Sequence, residues 1–179
     1  MPTDDPQSPD PKRRPVLRLP LTPLELALIA LIALGLVALI VPLALVWPTL
    51  PTSVPSHFGL SGRPDASSGK GSLLALPIIA VLFTVFALAL LPFPHIFNYP
   101  VQITAANASQ MYRFGRGALL AVTLLLVGSF AYLSARTVQV AQGHAAGLPG
   151  WFTVAAIGLV VALPIAALTL IVVMARRGG

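Results

Sequence analysis

The stretch TPLELALIALIALGLVALIVPLALVW, residues 22–47, decides the fold. Thr22, Pro23 and Glu25 open it. Thr at the N-cap, Pro at the first helical position and Glu at the third form a capping box, in which two side chains satisfy end donors of the helix. After Glu25 no charged residue follows before Trp47. A helix of about 25 residues at 1.5 Å each reaches about 37 Å, more than the ~30 Å hydrocarbon core of a bilayer. The sequence therefore predicts a membrane-spanning helix that tilts, or bends at Pro42. Its apolar run is longer than the about 7–15 residues of a signal-peptide core, and no small-x-small cleavage site follows it, so it reads as a retained span.

Composition extends this reading to the whole chain. Of 179 residues, 56% are hydrophobic and only 9% charged, and the mean hydropathy is +0.88. A soluble domain carries about 25% charged residues, so there are too few charges here to coat a surface facing water. The apolar runs do not alternate as the strands of a membrane barrel do, and helices satisfy their own backbone in lipid. Three more spans are expected, at about 72–91, 117–135 and 151–174. The second is closed by Pro92 and Pro94, and the fourth follows the turn Leu148-Pro149-Gly150 and is interrupted by Pro164. The predicted fold is all-α: one four-helix membrane domain over residues 22–177, preceded by a Pro-rich polar tail, 1–21, expected to be disordered. Residues 104–116 are expected to form an amphipathic lead-in to the third span. It would be capped by Thr104 or Asn107, with Asn107 to Gln110 outlining a capping box, and its Tyr112, Arg113 and Arg116 suit the headgroup region.

Basic residues orient the domain. With the N-terminus inside, Lys12, Arg13, Arg14, Arg18, Arg113, Arg116, Arg176 and Arg177 face the cytoplasm, and Arg63, Lys70 and Arg136 face outward. That asymmetry predicts both termini inside. The net charge of +6 then reflects orientation and anionic lipid rather than nucleic acid, and the bilayer is the first partner. Asn107-Ala108-Ser109 is a formal glycosylation acceptor, on the cytoplasmic side by this orientation, and reads as chance. The chain has no cysteine, which excludes disulfides, thiolate metal sites, cysteine nucleophiles and palmitoylation.

No Asp, Glu, Lys, Arg or His is expected deep within a span; Glu25 sits in a first turn, where it favours the helix dipole. Proton pumps and ion-coupled transporters place ionisable groups in the membrane, so this pattern argues against such a role. Gly158, Ala162 and Ala166 recur every fourth residue on the fourth span, a small-residue stripe that lets a helix of the same chain or of a partner approach closely.

Polar and conformationally special residues gather in the outer loop, 48–71. Pro48, Pro51, Pro55 and Pro64 stiffen it, and Gly59, Gly62, Gly69 and Gly71 permit tight turns. Trp47 and Phe58 suit the membrane interface; His57, Asp65 and Lys70 supply the chemistry. A hydrogen bond between His57 and Asp65 that braces the loop is the leading reading. A metal held by His57, Asp65 and His144 is chemically open but lacks a ligand spacing. Hydrolysis by His57 and Asp65 with Ser53, Ser56 or Ser61 lacks a nucleophile elbow. The segment from Gly62 to Gly69-Lys70 is no phosphate loop, because its glycines are too far apart and Gly71 replaces the Ser or Thr. No cofactor is expected, and no catalytic residue. His95, after the second span, reads as an interfacial residue.

The series Leu50-Pro51, Val54-Pro55, His57-Phe58, Gly62, Pro64-Asp65 and Lys70 resembles the signature of a bacterial membrane domain of unknown function, the N-terminal part of SdpI-type immunity proteins. The stretch Asn98-Tyr99-Pro100 and Asn107 to Tyr112-Arg113 is similar to that family's approach to its third span, so the resemblance covers roughly residues 20–135. Thr52 and Ala66-Ser67 depart from the acidic and aromatic residues common there. The resemblance implies a multi-pass protein of the bacterial inner membrane that gives immunity to a membrane-active peptide toxin, or senses it and captures a cytoplasmic repressor. By the resemblance His57, Phe58, Gly62, Pro64, Asp65 and Lys70 are signature positions, and with Trp47, Pro51 and Pro55 they make up the loop read here as a ligand-binding or structural surface. Two other readings stand beside it: an accessory subunit of a transporter or envelope complex, docked through Gly158, Ala162 and Ala166, and a metal-dependent envelope enzyme.

Overall fold

The computed structural model of the chain describes residues 14–152 and, beyond them, positions 154, 155, 158, 165, 169 and 173. Three long helices, α1 (Pro23–Val46), α2 (Ala75–Leu90) and α3 (Ala108–Ala141), carry a two-stranded antiparallel sheet of β1 (Ser53–Phe58) and β2 (Pro64–Gly69). The fold is mostly helical with a small sheet, which corrects the all-α expectation. The fourth span, 151–174, lies largely outside the described residues, as do Ala162 and Ala166 of its stripe; Gly158 is described, helical and exposed.

The start of α1 is the capping box read from sequence. The Glu25 amide donates to Thr22 Oγ1 at 3.2 Å, and the Thr22 amide donates to Glu25 Oε2 at 2.7 Å. Pro42 lies inside the helix, where it cannot donate to the carbonyl of Ala38. The second span enters through a 3-10 turn, Lys70–Leu74, so its α-helix starts at Ala75 rather than 72. It ends at Leu90, ahead of Pro92 and Pro94. Thr84, Thr123 and Thr137 donate back to carbonyls one turn earlier, each at 2.8 Å, which satisfies a hydroxyl without a partner helix.

The helices run up, down and up, and α3 is the common support for the other two. Ile32 and Leu39 of α1, Ala80 of α2, Leu91 just after it, and Leu120 and Val127 of α3 form the central apolar cluster. A Cβ on Gly35 would stand 2.9 Å from Val127 Cγ1, so glycine sets the close approach of α1 to α3. The outward faces remain apolar: Leu24, Leu31, Leu34, Val37 and Leu45 on α1, and Ile78, Leu82, Val85 and Phe86 on α2, are all exposed. The three hydrophobic windows have mean hydropathies of 3.0, 2.8 and 2.1, yet only 17–22% of their positions are buried within the protein. Among the described residues three helices are thus long and apolar enough to cross a membrane, and their exposed faces match lipid rather than water.

At the end of the domain where α1 begins, the structure departs from the sequence reading in three places. Residues 14–21, expected to belong to a disordered tail, are laid along the protein. Leu17 and Leu19 pack on a cluster of Tyr99, Ile103, Ala108, Met111 and Tyr112. Arg14 donates to the carbonyls of His95 and Phe97 and stands 5.7 Å over the Tyr99 ring. Tyr112 Oη donates to the Pro15 carbonyl at 2.8 Å. The apolar residues between the prolines and arginines of this strap supply its contacts. Second, the lead-in and third span form one helix of 34 residues from Ala108, about 51 Å long at 1.5 Å per residue, so it projects beyond a bilayer core. Third, the Asn107 capping box is not formed. Asn107 sits in helical backbone conformation, and its side chain closes the loop behind it, accepting from the Thr104 amide at 2.9 Å and donating to the Gln102 carbonyl at 3.0 Å.

Glu25 and Arg116, expected at a helix start and in the headgroup region, meet as a buried ion pair, each side chain 3% exposed. Arg116 Nη2 donates to Glu25 Oε2 at 3.0 Å and Nη1 donates to the Leu19 carbonyl at 2.9 Å. Arg116 Nε and Glu25 Oε1 stand 2.8 Å apart as a charge contact too bent to be a hydrogen bond. Removing one partner of such a pair leaves an uncompensated buried charge. Arg116→Met and Glu25→Gln should therefore each lower stability by about 3–5 kcal/mol. The double variant should lose less than the sum of the two. Unfolding of the four proteins in one detergent closes the cycle, and additive losses would show that the two side chains are not coupled.

Burial pushes the Tyr99 hydroxyl from 10.0 up to about 12, with Tyr112 adding to the shift and Arg14 opposing it. The folded state holds this proton more tightly than the unfolded chain, so the stability it contributes is complete below pH 10 and falls as pH rises toward about 12. Tyr99→Phe should flatten that alkaline loss, measured by thermal unfolding across the range.

Candidate ligand-binding hairpin

The loop 48–71 folds as a β-hairpin that the sequence reading did not anticipate. Its strands are poor in β-formers, and Pro55 and Pro64 cannot donate to a ladder. Both strands of a two-stranded sheet are edges, where proline is tolerated. The register pairs Ser53 with Gly69, Val54 with Ser68, Pro55 with Ser67, His57 with Ala66 and Phe58 with Pro64. One residue is extra on each strand, Ser56 on β1 and Asp65 on β2. Such bulges bend a strand and re-aim side chains, and here they flank His57. Asp65, unpaired across the ladder, reaches back to it: His57 Nδ1 and Asp65 Oδ1 stand 2.6 Å apart.

Two attachments fix the hairpin. At its base, Val54 and Leu50 are buried with Leu43, Leu73 and Val138, and Trp47 packs against them. The Lys70 amide donates to the Thr52 carbonyl at 3.0 Å. Its ammonium donates to the Trp47 carbonyl at 3.4 Å and lies 5.3 Å over the indole ring. At the tip, the Gly59 amide donates to the Arg63 carbonyl at 2.9 Å, and the Gly62 amide to the Gly59 carbonyl at 2.8 Å. Gly62 has φ +76, and a Cβ there would fall 2.2 Å from the Leu148 carbonyl oxygen. The Leu148 amide donates to the Gly62 carbonyl at 2.8 Å. Arg136 Nη2 holds the Gly147 carbonyl at 2.7 Å. The two loops at this end are thus locked backbone to backbone. Arg136, Gly147 and Leu148 were missed in the sequence because their role depends on a contact between distant segments.

The sequence-predicted residues divide by task. Trp47, Gly62 and Lys70 hold the hairpin in place, while Pro51 shapes the chain ahead of the ladder and Pro64 opens its second strand opposite Phe58. Pro55 and Phe58 turn inward and line a cavity of about 180 Å³ with Leu73, Leu76, Leu133 and Thr137. His57 and Asp65 remain outside, with side chains 69% and 52% exposed, and Leu60 in the turn at the tip is 86% exposed. The brace read from sequence is present. His144 does not join it: it sits on the neighbouring loop, its amide donating to the Gln139 carbonyl at 2.8 Å. Among the described residues no three His, Asp or Glu side chains come together as a metal-binding group. Ser61 Oγ accepts from the Arg63 amide at 3.5 Å rather than pairing with His57.

A family model described as a domain of unknown function (DUF1648) matches residues 28–81. The match begins within α1, takes in the whole hairpin and ends within α2. No curated protein and no solved structure matches the chain.

The tip contact makes Gly62 the position least able to accept a side chain. Gly62→Ala should cost about 1–3 kcal/mol from backbone strain alone, with the clash added. It should also raise hydrogen exchange at the Gly62 and Leu148 amides together. Gly69→Ala has φ −60 and a nearest heavy atom 3.9 Å from the added Cβ, and should be close to neutral. Equal behaviour of the two variants in exchange and unfolding would remove the docking role of Gly62.

Proposed function

We propose that this chain is a non-enzymatic multi-pass protein of a bacterial inner membrane, of the immunity or sensor type, whose outward hairpin engages an extracellular peptide toxin or a cell-envelope ligand. Four spans with both termini in the cytoplasm follow from the hydropathy of residues 151–174 and from the asymmetry of Lys and Arg. The likeness of the hairpin residues to the N-terminal domain of SdpI-type immunity proteins supports the immunity reading.

One observation carries it. The hairpin is anchored at base and tip, and the polar pair left over, His57 with Asp65, is displayed on its exposed side. An exposed polar pair on an anchored hairpin whose tip carries an exposed leucine is the layout of a recognition surface, because preorganised side chains lose little entropy on binding. An exposed polar pair of this kind contributes under about 1 kcal/mol to stability, so its removal tests function without unfolding the protein.

The test is survival and membrane potential of a sensitive bacterium challenged with membrane-active peptides from related strains. His57→Ala and Asp65→Asn should insert and unfold like the parent and weaken protection by about tenfold, as loss of one central contact of about 1.4 kcal/mol would. Full protection by both variants would remove the hairpin from the mechanism. No protection by the parent, together with a stoichiometric membrane partner in mild detergent, would move the assignment to an accessory subunit.

A further inference from the structure

At the end opposite the hairpin, a cavity of about 430 Å³ lies between the strap and the end of α2, with Leu17, Arg18, Leu91, Phe93, His95 and Arg116 among its walls. We propose that it is a binding site for one anionic phospholipid, which places its phosphate against Arg18 and an acyl chain along the apolar wall. Four observations lead there. The cavity sits where α2 ends and α1 and α3 begin, which is headgroup level for helices that cross a bilayer. Its volume falls within the range of ligand sites, about 300–1,000 Å³. Its walls are chiefly apolar, and Phe93 is 50% exposed, so a chain lying there continues into lipid.

The fourth observation is the polar chemistry left unused. His95 Nδ1 is buried and has no hydrogen-bond partner among the described residues. No water-sized group reaches that nitrogen, so His95 belongs to the wall of the cavity. Arg116 is already neutralised by Glu25, so it forms a wall and not the free charge. Arg18 has an exposed side chain with no hydrogen bond or ion pair among the described residues, and it lines the same cavity. A guanidinium pairs with phosphate through two parallel N–H bonds, and basic pockets at the ends of membrane helices take anionic headgroups. The inference stands independently of what the hairpin binds.

Native mass spectrometry of the full chain in mild detergent tests it, with phosphatidylglycerol, phosphatidylcholine and palmitate as probes. The parent should retain one phosphatidylglycerol in preference to phosphatidylcholine. Arg18→Gln should weaken that retention by about tenfold, in line with loss of a charge-assisted pair. Arg113→Gln removes an arginine at the same end but off the cavity wall, and should leave retention unchanged. Equal retention of the two phospholipids by the parent would overturn the proposal whatever the variants do. An Arg113→Gln loss as large as that of Arg18→Gln would overturn it in favour of general surface attraction. Palmitate held more tightly than phosphatidylglycerol would overturn the phospholipid assignment and give the site to a free carboxylate amphiphile.

Discussion

The ion pair between Glu25 and Arg116 is the constraint on which the arrangement of the helices depends. Withdrawing each charge from water costs several kcal/mol, and the local chemistry is built to offset it. Glu25 Oε2 accepts from Arg116, from the Thr22 amide and from Thr22 Oγ1. One carboxylate therefore caps α1 and receives α3. The same guanidinium reaches on to the Leu19 carbonyl, so the strap before α1 is bound into the joint. Once this joint is made, the position of α1 along α3 is set, and Gly35 meets Val127 as a consequence of that register.

The far end inherits that alignment. Leu43 near the end of α1 and Val138 near the end of α3 arrive side by side and, with Leu73, form the socket for Leu50 and Val54. The hairpin could not be seated if the two helices were displaced by a turn, since these side chains come from three separate elements. Its tip is held by a different means, backbone against backbone at Gly62 and Leu148, where no side chain fits. An apolar base and a backbone-bonded tip together leave His57 and Asp65 bonded to each other and outside the anchoring contacts.

Sequence legibility follows the range of the interactions. The start of α1 was readable because a capping box is a four-residue device. The end of α2 was readable because Pro92 and Pro94 end a helix locally. The brace between His57 and Asp65 was readable as chemistry, although not as geometry, because the bulges at Ser56 and Asp65 that bring the two together belong to a strand pairing. That pairing was hidden by its composition: Pro, Ser and Gly in β1 and β2 signal turns, and the apolar base that stabilises the ladder comes from the helices. Arg116 was misplaced for the same reason. At the start of a span an arginine reads as a headgroup anchor, and its carboxylate partner lies 91 positions away. Asn107 shows the converse, a plausible local cap overruled by a loop that used the side chain first.

The spacing of the hairpin motif now has a physical account. His57 and Asp65 are eight positions apart, which is the interval a hairpin with a tip at Gly59–Arg63 and one bulge on each strand requires. Gly62 lies within that interval because the tip must both turn with positive φ and touch the Leu148 backbone. Lys70 follows β2 directly, where its amide closes on Thr52 and its ammonium on Trp47, tying the exit of the hairpin to its entrance. Gly62 and Lys70 thus anchor the hairpin, and the spacing of His57 and Asp65 brings those two side chains into contact. A motif built in this way specifies a rigid projection from a helical base, and the exposed face of that projection is where neighbouring sequence can vary without disturbing the fold.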